Sequence, residues 1–368
     1  MKTRLNIILL LFAVLNCIKL FAQRECNTPE PTFPLKVDTA LVRHNIETKQ
    51  VLATLPYQLR IRVVVFANND GTNRAAADSD IIRQMGNMTA QYKPHQICFN
   101  LEEIVQANST DLNSHNASTE EAELFPYIKS NRVTLFLHRQ LFDNIGGLNG
   151  TAYAIPNNYL SMSSNAIASD TNISTLGHEM GHCFGLYHTF ATVNGIENIL
   201  RTGACANCST VGDLLCDTPA DPYSNSYITD SVTDNNCNYT GLIQQACSGV
   251  LYFYQMDPTN SMAYGRRSCR NHFTNGQGSR ARSFIASTDS LINALSSDNL
   301  TLLANATTVV GTQVLQARDY VTFNANLIYS GLANLKVLSD KITILPGTTL
   351  SPTTTTGLSQ LIVNPHCQ

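Results

Sequence analysis

The chain has 368 residues, of which 14% are charged, and a formal net charge of -3. That charged fraction is well below the ~25% of an average globular protein, and so small a net charge gives no electrostatic footprint for nucleic acid or an acidic polymer. The length suits one large domain with a small one beside it.

Lys2 and Arg4 precede an apolar run from Leu5 to Leu15, and the small Ala22 follows Leu20 and Phe21. The run is shorter than the ~20 residues that span a bilayer, so residues 1–22 read as a secretory signal peptide. Export makes disulfides the expected state of most of the eleven cysteines, Cys17 leaving with the signal. Residues 23–54, polar and carrying Pro29, Pro31 and Pro34, read as a pro-segment or N-terminal arm. A catalytic domain is expected over residues 55–297. Leu59 to Phe66 is alternating and β-branched, the pattern of a strand. Ile81, Met85, Met88 and Tyr92 then recur at helical spacing after Asp78 and Asp80, the expected caps. Ile97 to Leu101 and Val133 to Leu137 read as further strands, an order that predicts a mixed α/β (α+β) fold with a twisted sheet. Gly146 to Gly150 reads as a turn, and Tyr159 to Ser163 as a short strand at the sheet edge. Asp170 is the expected cap of a helix with Ile173, Leu176 and Met180 on its apolar stripe.

That helix carries His178-Glu179-Met180-Gly181-His182-Cys183-Phe184-Gly185-Leu186-Tyr187-His188. Histidines four residues apart project from one helical face, so His178 and His182 can grip one ion. Gly185 can end the helix in a left-handed turn and swing His188 round as a third ligand. Three nitrogens leave the fourth corner of a zinc site open for water, which Glu179 would deprotonate for attack on a peptide carbonyl. The spacing predicts a zinc endopeptidase. Cys183, inside the helix, reads as a packed small hydrophobe. The competing reading is a non-catalytic adhesin or binding protein with a structural zinc, against which the retained base Glu179 stands.

From Thr189 to about Asn260 the chain is loop-rich, with Cys205, Cys208, Cys216, Cys237 and Cys247, and Cys269 just beyond; disulfides are the expected staples. Pro258-Thr259-Asn260-Ser261-Met262-Ala263-Tyr264 supplies the methionine turn that the extended HExxHxxGxxH motif calls for, with Met262 beneath the ligands. In residues 298–368, Asp319-Tyr320-Val321-Thr322-Phe323 recurs twenty-one residues on as Asp340-Lys341-Ile342-Thr343-Ile344. These residues are expected to form a small all-β module of stacked turns, available for cell-surface attachment.

Four stretches carry a resemblance: His178 to His188 running into Thr189-Phe190; Gly212-Asp213-Leu214-Leu215-Cys216-Asp217-Thr218-Pro219; Asn260 to Tyr264; and Cys269 followed by Phe273-Thr274 and Gln277. Over roughly residues 55–290 the chain resembles the pappalysin-type metzincins, the cytophagalysin/ulilysin-like family of secreted zinc peptidases. The resemblance implies a metzincin catalytic domain with an active-site helix and a loop-rich C-terminal subdomain. It also implies a protein or peptide substrate, and Tyr264 as stabiliser of the oxyanion. By the same resemblance Asp213, Asp217 and Thr218 are candidates for a calcium site, and Arg24-Glu25-Cys26-Asn27 is similar to a zymogen segment in which Cys26 would be a latency switch. Here Asn27 replaces the family's glycine, and Cys26 is equally available for a disulfide. After the methionine turn, where relatives often carry acidic residues, stand Ala263, Gly265, Arg266 and Arg267, so the expected P1′ preference shifts away from Arg and Lys. Substrate is expected to add as a strand beside Tyr159 to Met162.

Overall fold

The computed structural model describes residues 24–32, 34–36, 56–222, 233–243, 247–252, 256–297, 299–302, 306–317, 319–339, 341–352 and 358–363. The expected signal peptide, residues 37–55 of the arm and Cys367 lie outside these.

Strand β1 (Arg24–Cys26) belongs to the arm. Then follow β2 (Tyr57–Ala67), helix α1 (Asp78–Tyr92), β3 (Ile97–Asn108), β4 (Val133–His138), β5 (Leu148–Ala152), β6 (Tyr159–Ser163), α2 (Thr175–Cys183) and α3 (Asn275–Ser287). One six-stranded sheet takes the order β1-β5-β6-β4-β2-β3. Its pairs are parallel except β5 with β6. β2 is interior, between β4 and the edge strand β3, and buried on both faces. Leu59, Ile61, Val63 and Val65 face α1, α2 and α3, while Val64 and Phe66 join Phe136 and Tyr153 on the opposite face. That two-sided burial is why its sequence is β-branched. On α1 the buried Ile81, Met85, Met88 and Tyr92 form the stripe, and the cap is Ala77, with Asp78 and Asp80 inside the first turn.

Two expectations change. Only Gly146 and Gly147 of the glycine-rich stretch lie outside a strand; Leu148–Ala152 is β5, buried throughout. The Tyr159–Ser163 strand, β6, is interior, between β4 and β5, so the edge that receives an added strand is β5, and β1 already occupies it.

Three disulfides staple the loop-rich region: Cys205–Cys247, Cys208–Cys216 and Cys237–Cys269. Cys98 is also disulfide-bonded, whereas Cys26 and Cys183 are free thiols, both buried. The alternative of a disulfide at Cys26 is thereby removed.

The described strands between Asn299 and Val363 form two sheets of their own. In one, Tyr320 sits in register with Asn299 on one side and Lys341 on the other, all parallel, so successive coils repeat every twenty-one residues. Val321 and Phe323 point into a core with Leu300, Leu302 and Ile342. In the other, Ile328 sits in register with Ala306 and Thr349, again in parallel.

Candidate active site

The site is built on α2, every residue of which is buried. Ser174, not Asp170, is the cap of the helix, and Asn172 Oδ1 accepts from the Thr175 amide at 3.2 Å just ahead of the first turn. Gly185 ends it at φ +83°, with the Gly185 and Leu186 amides donating to the His182 and Gly181 carbonyls. A glycine pays no Cβ penalty in that conformation, and a Cβ here would also lie 2.2 Å from the Phe284 ring. The turn carries His188 back to the two helical histidines.

His182 Nε2 lies 3.2 Å from Nε2 of both His178 and His188. His178 Nδ1–H donates to the Ser261 carbonyl at 2.8 Å and His182 Nδ1–H to that of Leu186 at 2.9 Å. With Nδ1 committed as donor, the Nε2 lone pairs face inward. Burial holds both rings well below the ordinary imidazole range, keeping them neutral. Converging lone pairs at that spacing repel unless a cation lies among them. Cys26 Sγ completes the group, and the four ligand atoms all lie within 4.8 Å of one another. Nitrogen and sulfur donors in this number fit zinc.

Met262 lies beneath α2, its Sδ in the space that a Cβ on Gly181 would enter. Its amide donates to Asn260 Oδ1 at 2.9 Å, and the Asn260 amide group exchanges two hydrogen bonds with Gln277, whose side chain closes the capping box that opens α3. Ser261 gives its carbonyl to His178 and its hydroxyl to Gln91 of α1. The methionine turn is thus tied to all three helices. The Tyr264 ring centroid is 5.1 Å from that of His188 and 5.8 Å from that of His178. Burial, with the charges of Cys26 and Glu179 nearby, raises its phenol and keeps it a hydrogen-bond donor.

Glu179 Oε2 accepts from the Ala152 amide of β5 at 3.1 Å, from Thr28 Oγ1 at 3.1 Å and from the Cys26 thiol at 3.3 Å. Oε1 is buried with no hydrogen-bond partner. Burial pushes the carboxyl up to about 8 in the arm-covered chain. Gly150, across from it, leaves room: a Cβ there would lie 2.7 Å from Glu179 Cγ.

The arm crosses the site residue by residue. Arg24 pairs with Asp143 at 2.5 Å, Glu25 with Arg267 at 2.6 Å and Arg270 at 2.9 Å, and Glu30 Oε1 lies 3.5 Å from His188 Nδ1. The Leu35 amide donates to the Tyr187 hydroxyl at 2.9 Å.

Three comparisons bear on this geometry. The family described as Pregnancy-associated plasma protein-A matches residues 148–286, and the Metallo-peptidase family M12B Reprolysin-like matches residues 90–189. An extracellular metalloprotease of Pyricularia oryzae is 28% identical over 285 residues, 71% of this chain and 88% of that one. Another, of Podospora anserina, is 26% identical over 290 residues, 71% of this chain and 89% of that one. The chain is a zinc metalloprotease, and its matches are consistent with a metzincin similar to the pappalysins. A solved structure, metalloproteinase-II from Bacteroides fragilis, overlaps at a TM-score of 0.27 and 14% identity, covering 48% of this chain and about half (52%) of that one, too slight a likeness to add to the assignment.

In this metalloprotease, Cys26, His178, Glu179, His182, His188, Met262 and Tyr264 come together. The calcium candidates divide. Asp213 is buried with Oδ2 unpaired, and the Thr218 hydroxyl stands against that carboxylate without a hydrogen bond of its own. Asp217 is engaged elsewhere, accepting from the Gly276 amide at the start of α3 at 2.6 Å. Sequence reasoning missed Glu197, whose unpaired, buried Oε2 occupies the space left by the absent Cβ of Gly212. Burial, with Asp213 beside it, pushes Glu197 up to about 8, and burial pushes Asp213 up to about 7. No motif marks Glu197; an acidic residue in a polar loop gives no signal. Thr28, Gly150 and the Glu25 ion pairs were missed too, because each is defined by a partner far away in sequence.

Proposed function

We propose that this metalloprotease is an exported endopeptidase, synthesised in a latent form, that cleaves extended polypeptide laid along β5. The single observation carrying the reading is β1. A strand of the chain's own arm pairs with β5, Arg24 against Leu148 and Cys26 against Gly150, and delivers its thiol to the three imidazoles. An edge that takes one extended segment can take another by main-chain hydrogen bonds. The apolar run at the N-terminus and the extracellular naming of both fungal relatives support export.

Zinc held by His178, His182 and His188 supplies Lewis acidity, polarising a carbonyl and making water more acidic. Glu179 takes the proton from the attacking water and hands it to the departing amine, as its position beside the imidazole and thiol group allows. The Tyr264 hydroxyl donates to the carbonyl oxygen as negative charge grows there. Met262 supports the helix from below. In the latent chain Cys26 blocks the metal, and Thr28 and Cys26 cover the base.

We propose a second cation in the loop region, beside Arg201, which donates to Glu197 Oε1 and to the Thr218 carbonyl. Glu197, Asp213 and Thr218 offer hard oxygen donors of which two, Glu197 Oε2 and Asp213 Oδ2, are buried and unpaired, and calcium takes such ligands.

The test is cleavage of casein or a quenched peptide by arm-trimmed, zinc-restored protein, with and without a zinc chelator, beside Glu179→Gln. Turnover should fall by about 10²–10⁴-fold in the variant, the usual contribution of a general base, and vanish with chelator. Equal turnover in all samples would contradict the reading.

A further inference from the structure

Glu25 is an arm residue whose partners the catalytic reading leaves unexplained. Its carboxylate is buried and held by two guanidinium groups: Arg267 Nε and Nη2 reach Oε1 at 2.7 and 2.6 Å, and Arg270 Nη2 reaches Oε2 at 2.9 Å. Among the described residues no other carboxylate pairs with either arginine. Arg270 is fully buried, its Nη1 donating to the Ala263 carbonyl beside Tyr264 at 3.0 Å, and its Nε lacks a hydrogen-bond partner. The segment is rigid: the Cys269–Cys237 disulfide and Arg266, hydrogen-bonded to Thr233, hold it in place.

When the arm leaves, the two arginines lose their counter-charge. A buried guanidinium without a carboxylate is strongly unfavourable. The vacated position also lies in the lane of any strand added to β5, because Glu25 is the immediate neighbour of Cys26, whose thiol stands where the chemistry occurs.

We propose that the pocket filled by Glu25 in the latent chain is a substrate side-chain pocket in the trimmed enzyme, and that Arg267 and Arg270 make it select an acidic side chain, glutamate above all, adjoining the scissile bond. The inference rests on the peptidase reading above and gives the site its substrate class. Glu25 then acts as a built-in substrate mimic, and the arginines following the methionine turn are the specificity-determining residues. Fork-shaped guanidinium groups favour a carboxylate over its amide isostere in both charge and geometry.

The experiment uses full-length protein trimmed by limited proteolysis and restored with zinc, acting on a peptide pool varied at the two positions flanking the cleaved bond. Glutamate should be enriched at one of them, with kcat/KM at least about tenfold above the glutamine peptide, the order expected for one charged hydrogen bond. Raising salt should shrink that ratio. Arg267→Gln should reduce it, and Arg267→Glu should turn the preference towards lysine and arginine. Arg270→Gln should reduce it further, with circular dichroism confirming its fold; the part-exposed Arg267 decides the matter if that variant does not fold. Binding of glutamate and glutamine peptides to trimmed Glu179→Ala protein gives a readout without turnover. Cleavage with equal rates for the two peptides, enrichment of basic residues, or an unchanged ratio in Arg267→Glu would overturn the proposal and leave the arginines as anchors of the arm alone. Absence of any cleavage would instead overturn the peptidase reading, and the binding comparison would still decide the pocket.

Discussion

Gly150 has no side chain because Glu179 needs the space. A Cβ there would stand 2.7 Å from Glu179 Cγ and 2.8 Å from Met162 Sδ, and the glycine sits in β5, where the arm pairs. Gly150→Ala should therefore displace the carboxylate without breaking the sheet. Activity of the trimmed protein should drop by about a hundredfold, the cost of an ångström-scale misplacement of a reacting group, while the circular dichroism spectrum stays that of the parent. Full activity would show that Glu179 does not depend on this clearance. Cys26 is tested from the other side of the same carboxylate. Its thiol touches both the imidazole group and Glu179, so Cys26→Ala in the full-length chain should raise the rate at which the arm is lost on zinc addition by about tenfold or more, since each ~1.4 kcal/mol of holding interaction counts as a factor of ten. An unchanged rate, followed by N-terminal sequencing, would remove the thiol from latency.

Among the elements, the loop-rich region makes a pH prediction. Glu197 at about 8 and Asp213 at about 7 are raised chiefly by burial, above the ~4 of such groups in an unfolded chain. The folded chain therefore binds more protons than the unfolded chain from about pH 4 upward, so its cation-free stability, fully present below that range, is lost as pH rises through 7 to 8. A calcium ion favours the ionised carboxylates and should cancel the loss. Melting temperature measured from pH 5 to 8 should fall without calcium and stay level with it; a rising curve without calcium would contradict the cluster. The elements also differ in how far the sequence revealed them. β2 and β4 were legible because two-sided burial demands β-branched runs, and α2 because a metal tripod on a helix leaves few spacings for its histidines. β5 was not, because Leu148-Asn149-Gly150-Thr151-Ala152 is short and centred on a glycine. Pairing with β1 and β6 makes it a strand, and Gly150 is there for Glu179 rather than for a turn. β6 was recognised but placed at the edge, since nothing local in a five-residue strand says which neighbours it has. The third coil is also legible: Asp298-Asn299-Leu300-Thr301-Leu302 repeats the pattern of Asp319 to Phe323 twenty-one residues earlier.

For the whole molecule, the site is a junction of three distant segments. α2 supplies two imidazoles and the base, the turn after it the third imidazole, the methionine turn the platform and the phenol, and the arm the thiol. The sequence announced all but the last because each is a compact motif. The arm's place was carried by a single Cys26 in a polar stretch, and its seating depends on the Glu25 and Thr28 partners, which no local pattern displays. The disulfides show the same limit: their presence followed from export, while the pairing of Cys205 with Cys247 rather than a nearer cysteine is set by how the loops fold back. Most direct for the whole is zinc X-ray absorption on full-length, zinc-loaded protein before and after trimming. Three nitrogen scatterers near ~2.0 Å and one sulfur near ~2.3 Å should be found before, and the sulfur should disappear after trimming or in Cys26→Ala. A zinc with no sulfur neighbour in the untrimmed chain, or one with fewer than three imidazoles, would contradict the centre described.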